Sequence, residues 1–172
     1  MSFEDDLRRS LERLAGAPVP EILSTRLLMR AAALLRVRMD EVLAPEGIDM
    51  RGYLALMVIS LHQGQALRPS DLSVSLDAPR PQVTRVLDAL AQRKLVARVH
   101  SNEDRRTLNL TLTAAGQRKL ARCIPKMHVA YRQVWSGVTD FTSVLRELRA
   151  FNAKLSAQAP SGSPEATPGD RA

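Results

Sequence analysis

Residues 67–116 read LRPSDLSVSLDAPRPQVTRVLDALAQRKLVARVHSNEDRRTLNLTLTAAG. Their punctuation spells a short helix, a turn, a longer helix and two strands joined by a charged loop. Pro69 and Asp71 are first-turn chemistry for a helix over 67–76, with Leu72 and Leu76 one turn apart on its inner face. Pro81 disfavours helical geometry at Arg80, so the longer helix is expected to start at Pro81, after a turn over 77–80. Val83, Val86, Leu87 and Leu90 then recur at helical spacing. Residues 95–100 and 107–112 alternate apolar and polar side chains, as half-buried strands do, around the polar loop SNEDRR. The sum is a winged helix-turn-helix.

The longer helix has a second face. It carries Gln82, Thr84, Arg85 and Asp88, with Arg80 at its mouth. Gln, Thr and Arg near a helix N-terminus can hydrogen-bond base edges and phosphates in a major groove, and the first-turn N–H groups would face a phosphate. Arg105 and Arg106 at the hairpin tip are placed to reach the adjacent minor groove. Helix-turn-helix pairs also occur without DNA, and a basic face is commonly just solvated. The basic hairpin following directly on this helix is what tilts the reading to DNA.

These residues resemble the MarR family of bacterial transcriptional regulators. The likeness rests on Pro69-Ser70-Asp71-Leu72, on Val83-Thr84-Arg85 with Leu87-Asp88 and Leu90, and on Leu95-Val96 with Arg98-Val99. It continues through Asp104-Arg105-Arg106 and Leu110-Thr111-Leu112-Thr113 with Gly116, and spans residues 21–155. It implies that Asp104 braces Arg106 in the minor groove, and that the first and last long helices interlock two subunits. It also implies a site for phenolic or aromatic carboxylic acids between the dimer-forming helices and the winged unit. The chain departs from the pattern at Arg68, Pro79 and Lys94, where a Ser or Thr cap, a Ser or Thr, and a Gly are usual. A left-handed Lys94 would carry a conformational cost.

The charge agrees. Of a net +7, residues 1–61 contribute −1, residues 62–122 contribute +6 and residues 123–172 contribute +2. A basic module on near-neutral helices is the footprint of a nucleic-acid partner. Aromatics are only 3 %, so the core must be Leu, Val, Ala and Met, and RNA-stacking side chains are scarce. One Cys excludes an internal disulfide. An acidic start without an apolar run argues against a secretory leader, and no stretch suits a membrane span. The expected location is the cytoplasm.

The fold class expected is mainly α, a winged helix-turn-helix with long N- and C-terminal dimerisation helices. Residues 1–20 form a helical extension, with Ser2 as cap and Phe3, Leu7, Leu11 and Leu14 as its stripe. Residues 21–48 hold a dimerisation helix whose apolar stripe is too wide for one neighbour. The DNA-binding region is 49–116. It opens with Asp49 capping a helix over 50–62 that turns Tyr53, Leu54, Met57, Val58 and Leu61 inward. Residues 117–157 hold the C-terminal dimerisation helices: one capped by Thr113, which Pro125 must kink or split, and a last one over 139–157. Residues 158–172 read as a disordered tail.

No enzyme motif is present, and no cofactor or metal is called for. Cys123, amid apolar residues, reads as a small core side chain. Arg26 and Arg30 lie one turn apart on an apolar helix, as do Tyr53 and Met57 on the next, so these four are the expected ligand-binding residues for an aromatic acid. The reading is a homodimeric, ligand-responsive DNA-binding regulator on a pseudopalindromic operator, more readily a repressor than an activator. The alternative is a helical interaction or ligand-binding protein that never touches DNA.

Overall fold

The computed structural model describes residues 3–62, 67, 69–98 and 110–158. Among these residues seven α-helices and two strands follow in order: α1 (Phe3–Glu12), α2 (Val19–Leu43), a 3-10 turn (Ala44–Glu46), α3 (Met50–Leu61), α4 (Pro69–Ser75), α5 (Arg80–Gln92), β1 (Val96–Arg98), β2 (Leu110–Leu112), α6 (Ala114–Val134) and α7 (Phe141–Gln158). The chain divides into two compact units between Val134 and Trp135.

In the first unit α3 is the hub. It packs on α2, α4, α5, α6 and β2, while α1 lies on α2 and α2 on α6. Gly52, Tyr53, Ala55, Leu56 and Ile59 are its buried side. Leu61 does not point inward as expected: it is 74 % exposed. The helix is apolar nearly all round, so periodicity cannot select the buried face. Leu72, Leu76, Val83, Leu87, Leu90, Leu120, Cys123 and Met127 complete the same core. Each fully buried Leu there contributes roughly 2 kcal/mol.

Caps define several boundaries. The Gly52 N–H donates to Asp49 Oδ1 at 2.8 Å, and the Met50 N–H to Asp40 Oδ1 at 2.7 Å. The Gly116 N–H donates to Thr113 Oγ1 at 3.0 Å, so Thr113 caps α6 as expected. Gly116 is required there, because a Cβ would collide with the Leu95 carbonyl oxygen. Helix α5 begins at Arg80 rather than Pro81. The Pro79 carbonyl accepts from Gln82 and Val83, and a proline at the second helical position gives up only an N–H the helix does not need.

Pro125 neither splits nor ends α6, which is one element through Val134. The carbonyl it orphans belongs to Ala121, an exposed residue open to water. Strands β1 and β2 are antiparallel, pairing Val96 with Leu112, Ala97 with Thr111 and Arg98 with Leu110. The hairpin tip, with Asp104, Arg105 and Arg106, lies outside the described residues, as do Ser2, Arg68 and residues 159–172.

The second unit is α7 and the turn before it. Asp140 Oδ1 accepts the Ser143 N–H at 3.0 Å, which places the helix start two residues later than expected. Trp135 and Phe141 meet edge to face, 5.8 Å apart. The helix buries none of its residues: Phe141, Leu145, Phe151 and Leu155 are all exposed.

Candidate nucleic-acid interface

Two left-handed residues shape the helix-turn-helix. Asp77 (φ 46°) closes α4, with the Ala78 N–H bonded to Ser73 O and the Asp77 N–H to Val74 O. Lys94 (φ 56°) closes α5 in the same way, through Leu95 to Leu90 O and Lys94 to Ala91 O. Both are Schellman endings, in which the six-to-one and five-to-two bonds satisfy the last carbonyls. The first swings the chain from α4 into α5. The second delivers it into β1.

Helix α5 seats Val83, Leu87 and Leu90 in the core. That leaves Arg80, Thr84 and Arg85 exposed, with Gln82 and Asp88 half-buried beside them. Four of the expected DNA-binding residues, Arg80, Gln82, Thr84 and Arg85, therefore stand around one helix end. The Thr84 hydroxyl donates to the Arg80 carbonyl at 3.1 Å, a bond it must give up to donate to a phosphate. Of the first-turn backbone donors, Gln82 and Val83 are engaged with Pro79 O and Pro81 has none. Only the Arg80 N–H remains open among the described residues.

Beside this face lies a cleft of about 340 Å³, lined by Gln82, Arg85 and Ala89 of α5, by Arg93 just past its end and by Gly47, Asp49 and Gly52. Arg93 Nη1 donates to the Gly47 carbonyl at 2.6 Å. The preceding residue, Glu46, is gripped from α6. Lys126 Nζ lies 2.7 Å from Oε1, Arg122 Nε 3.0 Å and Lys119 Nζ 3.2 Å from Oε2, and Lys119 also donates to the Glu46 carbonyl at 2.7 Å. The bonds from Lys126 and Arg122 do most to hold the Glu46 carboxyl at a pKa of about 2. Neither Glu46 nor Arg93 was expected. Lys119, Arg122 and Lys126 share one face of a helix that lacks any acid, a pattern that asks for a carboxylate elsewhere in the chain.

The four expected ligand residues are not brought together. Arg26 and Arg30 are exposed on α2, Tyr53 is core and Met57 half-buried. None of them lines the cleft of about 230 Å³ that opens between α2, the start of α3 and the Asp77 turn. That cleft has Leu35, Met39, Leu54 and Tyr131 as apolar walls, Arg36 and Arg51 as cations and Asp40, Asp49 and Asp77 as acids. Arg36 lies 3.8 Å from Asp77. Burial pushes the Tyr131 hydroxyl above its ordinary range, so it remains a neutral donor. Burial does the same to the thiol of Cys123, which is fully enclosed and so lacks the exposure a reactive thiol needs. Among the described residues no cluster of His, Cys, Asp and Glu could hold a metal. No described helix is long and apolar enough to cross a membrane.

The MarR family model matches residues 46–107, from the gripped turn to the hairpin. The transcriptional repressor MprA of Escherichia coli K12 is 32 % identical over 153 residues, covering 89 % of this chain and 86 % of the relative. The regulator MosR of Mycobacterium tuberculosis, solved in complex with DNA, superposes with a TM-score of 0.66 at 26 % identity, over 78 % of this chain and 97 % of that one. A MarR family protein of the same organism, in complex with salicylic acid, superposes with a TM-score of 0.56 at 28 % identity, over 75 % and 93 %. A helix-turn-helix with this exposed basic end, matched by the family model and by a relative along almost its whole length, makes the chain a member of the MarR family of transcriptional regulators.

Proposed function

We propose that the chain is a homodimeric repressor that binds a pseudopalindromic site on double-stranded DNA and is released by a small aromatic acid. The observation that carries the DNA reading is the exposed cluster of Arg80, Thr84 and Arg85 on a helix whose opposite side is locked in the core. MprA is named a repressor, and MosR was solved on DNA. In this reading Arg85 contacts a base edge, Arg80, Gln82 and Thr84 position the helix on phosphates, and Asp104, Arg105 and Arg106 serve the minor groove. Binding to the promoter beside the chain's own gene tests it. Arg85→Ala should cost about 1–3 kcal/mol and relax preference at one base pair. Unaltered specificity would remove Arg85 from readout.

The effector is best placed in the cleft between α2 and the Asp77 turn. Its guanidiniums, Arg36 and Arg51, suit a carboxylate, and its apolar walls with Tyr131 suit a ring. A ligand wedged there separates Arg36 from Asp77 and so acts on the turn that leads into α5. Only a ligand with different affinity for the two turn positions can shift DNA binding, and a coupling of about 1–3 kcal/mol suffices for a 5–150-fold change. The salicylate complex of a family member supports this ligand class. Titration of salicylate- and benzoate-type acids into the protein–operator complex tests it. Loss of the response in Arg36→Ala or Arg51→Ala places the site in the cleft. Loss in Arg26→Ala or Arg30→Ala instead returns it to the first half of α2.

A further inference from the structure

Helix α6 carries Arg118, Lys119, Arg122, Lys126 and Arg132 and no carboxylate. Such a helix repels itself unless anions meet it. Glu46 meets part of that need. It holds Lys119 at 15 % exposure but leaves Arg122 and Lys126 about half open, at 52 % and 44 %. One carboxylate against three cations leaves two positive charges uncompensated. A guanidinium has five N–H donors and Glu46 engages the one on Nε, so Arg122 is pinned with donors still to offer.

The same turn is also held by Arg93, through the Gly47 carbonyl. Arg93 in turn lines one cleft with Gln82, Arg85 and Asp49, whose carboxylate already accepts the Gly52 N–H. A positive strip therefore leaves the exposed end of α5, passes Arg93, crosses the Glu46–Gly47 turn and reaches Arg122 and Lys126. A merely solvated basic face has no need of such anchoring. Cations held at fixed places have less freedom to lose on meeting a fixed array of phosphates. Duplex DNA is such an array, and the strip is continuous with the face assigned to it.

Resting on the DNA reading above, we infer that bound DNA continues past the recognition helix over the Glu46 turn, where phosphates flanking each half-site rest on Arg93, Arg122 and Lys126. The footprint is then wider than the paired half-sites alone require.

The test uses two duplexes with the same operator, one ending at the half-sites and one extended on each side by roughly one helical turn (about 10 base pairs). Binding of the full-length chain is followed by fluorescence anisotropy over a salt series. Wild type should bind the longer duplex more tightly, with a steeper slope of log K against log salt. The double variant Arg122→Gln/Lys126→Gln, which leaves Lys119 on Glu46, should lose about two units of slope per flank on the longer duplex only. Equal slopes for wild type on both duplexes overturn the inference without recourse to any variant. A double variant that keeps the full difference overturns the assignment to α6. If wild type binds neither duplex, the DNA reading itself falls.

Discussion

Helices α5 and α7 put their apolar residues to different uses. Helix α5 has 13 residues and buries Val83, Leu87 and Leu90. Helix α7 has 18, including Phe141, Leu145, Phe151 and Leu155, and buries none. Helix α2 repeats the contrast within itself. It buries Leu23, Met39 and Leu43 but leaves Leu27, Leu28, Met29, Leu34 and Val37 exposed. An apolar stripe that its own chain leaves in water marks a surface for association, since monomers rarely expose large contiguous patches. The core under α5 is thus filled within one chain, whereas α7 and one side of α2 leave exposed the apolar surface that the proposed dimer would cover.

The largest expected effect tests that division directly. Wild type should be a dimer by light scattering. Leu145→Asp should give monomer or aggregate and abolish operator binding, because two recognition helices no longer sit about one DNA turn (roughly 34–36 Å) apart. The contrast breaks if the variant remains dimeric, or if wild type is monomeric. It sharpens if the monomeric variant keeps the wild-type helix content.

Next in size is a change on the other side of the contrast. Leu72 is fully buried beneath the helix-turn-helix. Leu72→Ala should lower unfolding free energy by about 2–5 kcal/mol, through lost transfer energy and a cavity, without itself dissociating the dimer. Urea denaturation and light scattering on one sample measure both. A loss below about 1 kcal/mol would mean that this core is looser than its burial implies.

These two regions were also unequally legible in the sequence. The winged unit is built from local signals: Leu72 and Leu76 one turn apart, Asp49 and Thr113 as side-chain acceptors at helix starts, and Val83, Leu87 and Leu90 at helical spacing. Helix α3 was legible as a helix but not by face, because MRGYLALMVISL offers apolar residues on every side. What joins distant elements was hidden. Glu46 meets partners 73–80 positions away, and the cleft at Arg36 draws on α2, α3, the Asp77 turn and α6. Such contacts depend on packing, which no short-range spacing encodes. The family resemblance, one-turn spacing and the pairing of Arg with an aromatic point to Arg26, Arg30, Tyr53 and Met57, but packing puts Tyr53 into the core.

The Glu46 grip belongs to the self-sufficient unit, and pH reports on it. Its carboxyl falls from an ordinary 4.5 to about 2, chiefly through bonds from Lys126 and then Arg122. A depressed folded pKa stabilises above the unfolded value and ceases to do so as pH falls through the folded one. The contribution is therefore whole above about 4.5 and fades toward 2. Glu46→Gln should lower the melting temperature at neutral pH and flatten its dependence across that window. Parallel acid limbs for variant and wild type would mean that the three cations stabilise nothing.

The smallest expected effect asks whether the self-sufficient unit is also relaxed. Lys94 and Asp77 are its two left-handed non-glycine residues among those described. For an L-residue this conformation costs roughly 1–2 kcal/mol, because Cβ crowds the following carbonyl. Asp tolerates it better, since its short polar side chain can bond locally. Lys has no such compensation, and its side chain is exposed. Lys94→Gly should therefore raise stability by about 1 kcal/mol, offset in part by the greater freedom of glycine in the unfolded chain. Asp77→Gly should change it by only a few tenths of a kcal/mol. Denaturant midpoints at constant m-value measure both. Lys94→Gly as stable as wild type or less would show that the Lys94 side chain supplies an interaction equal to its strain. If the glycine variant also lost affinity for the longer duplex, that interaction would lie with DNA, extending the strip that runs from Arg93 to α6.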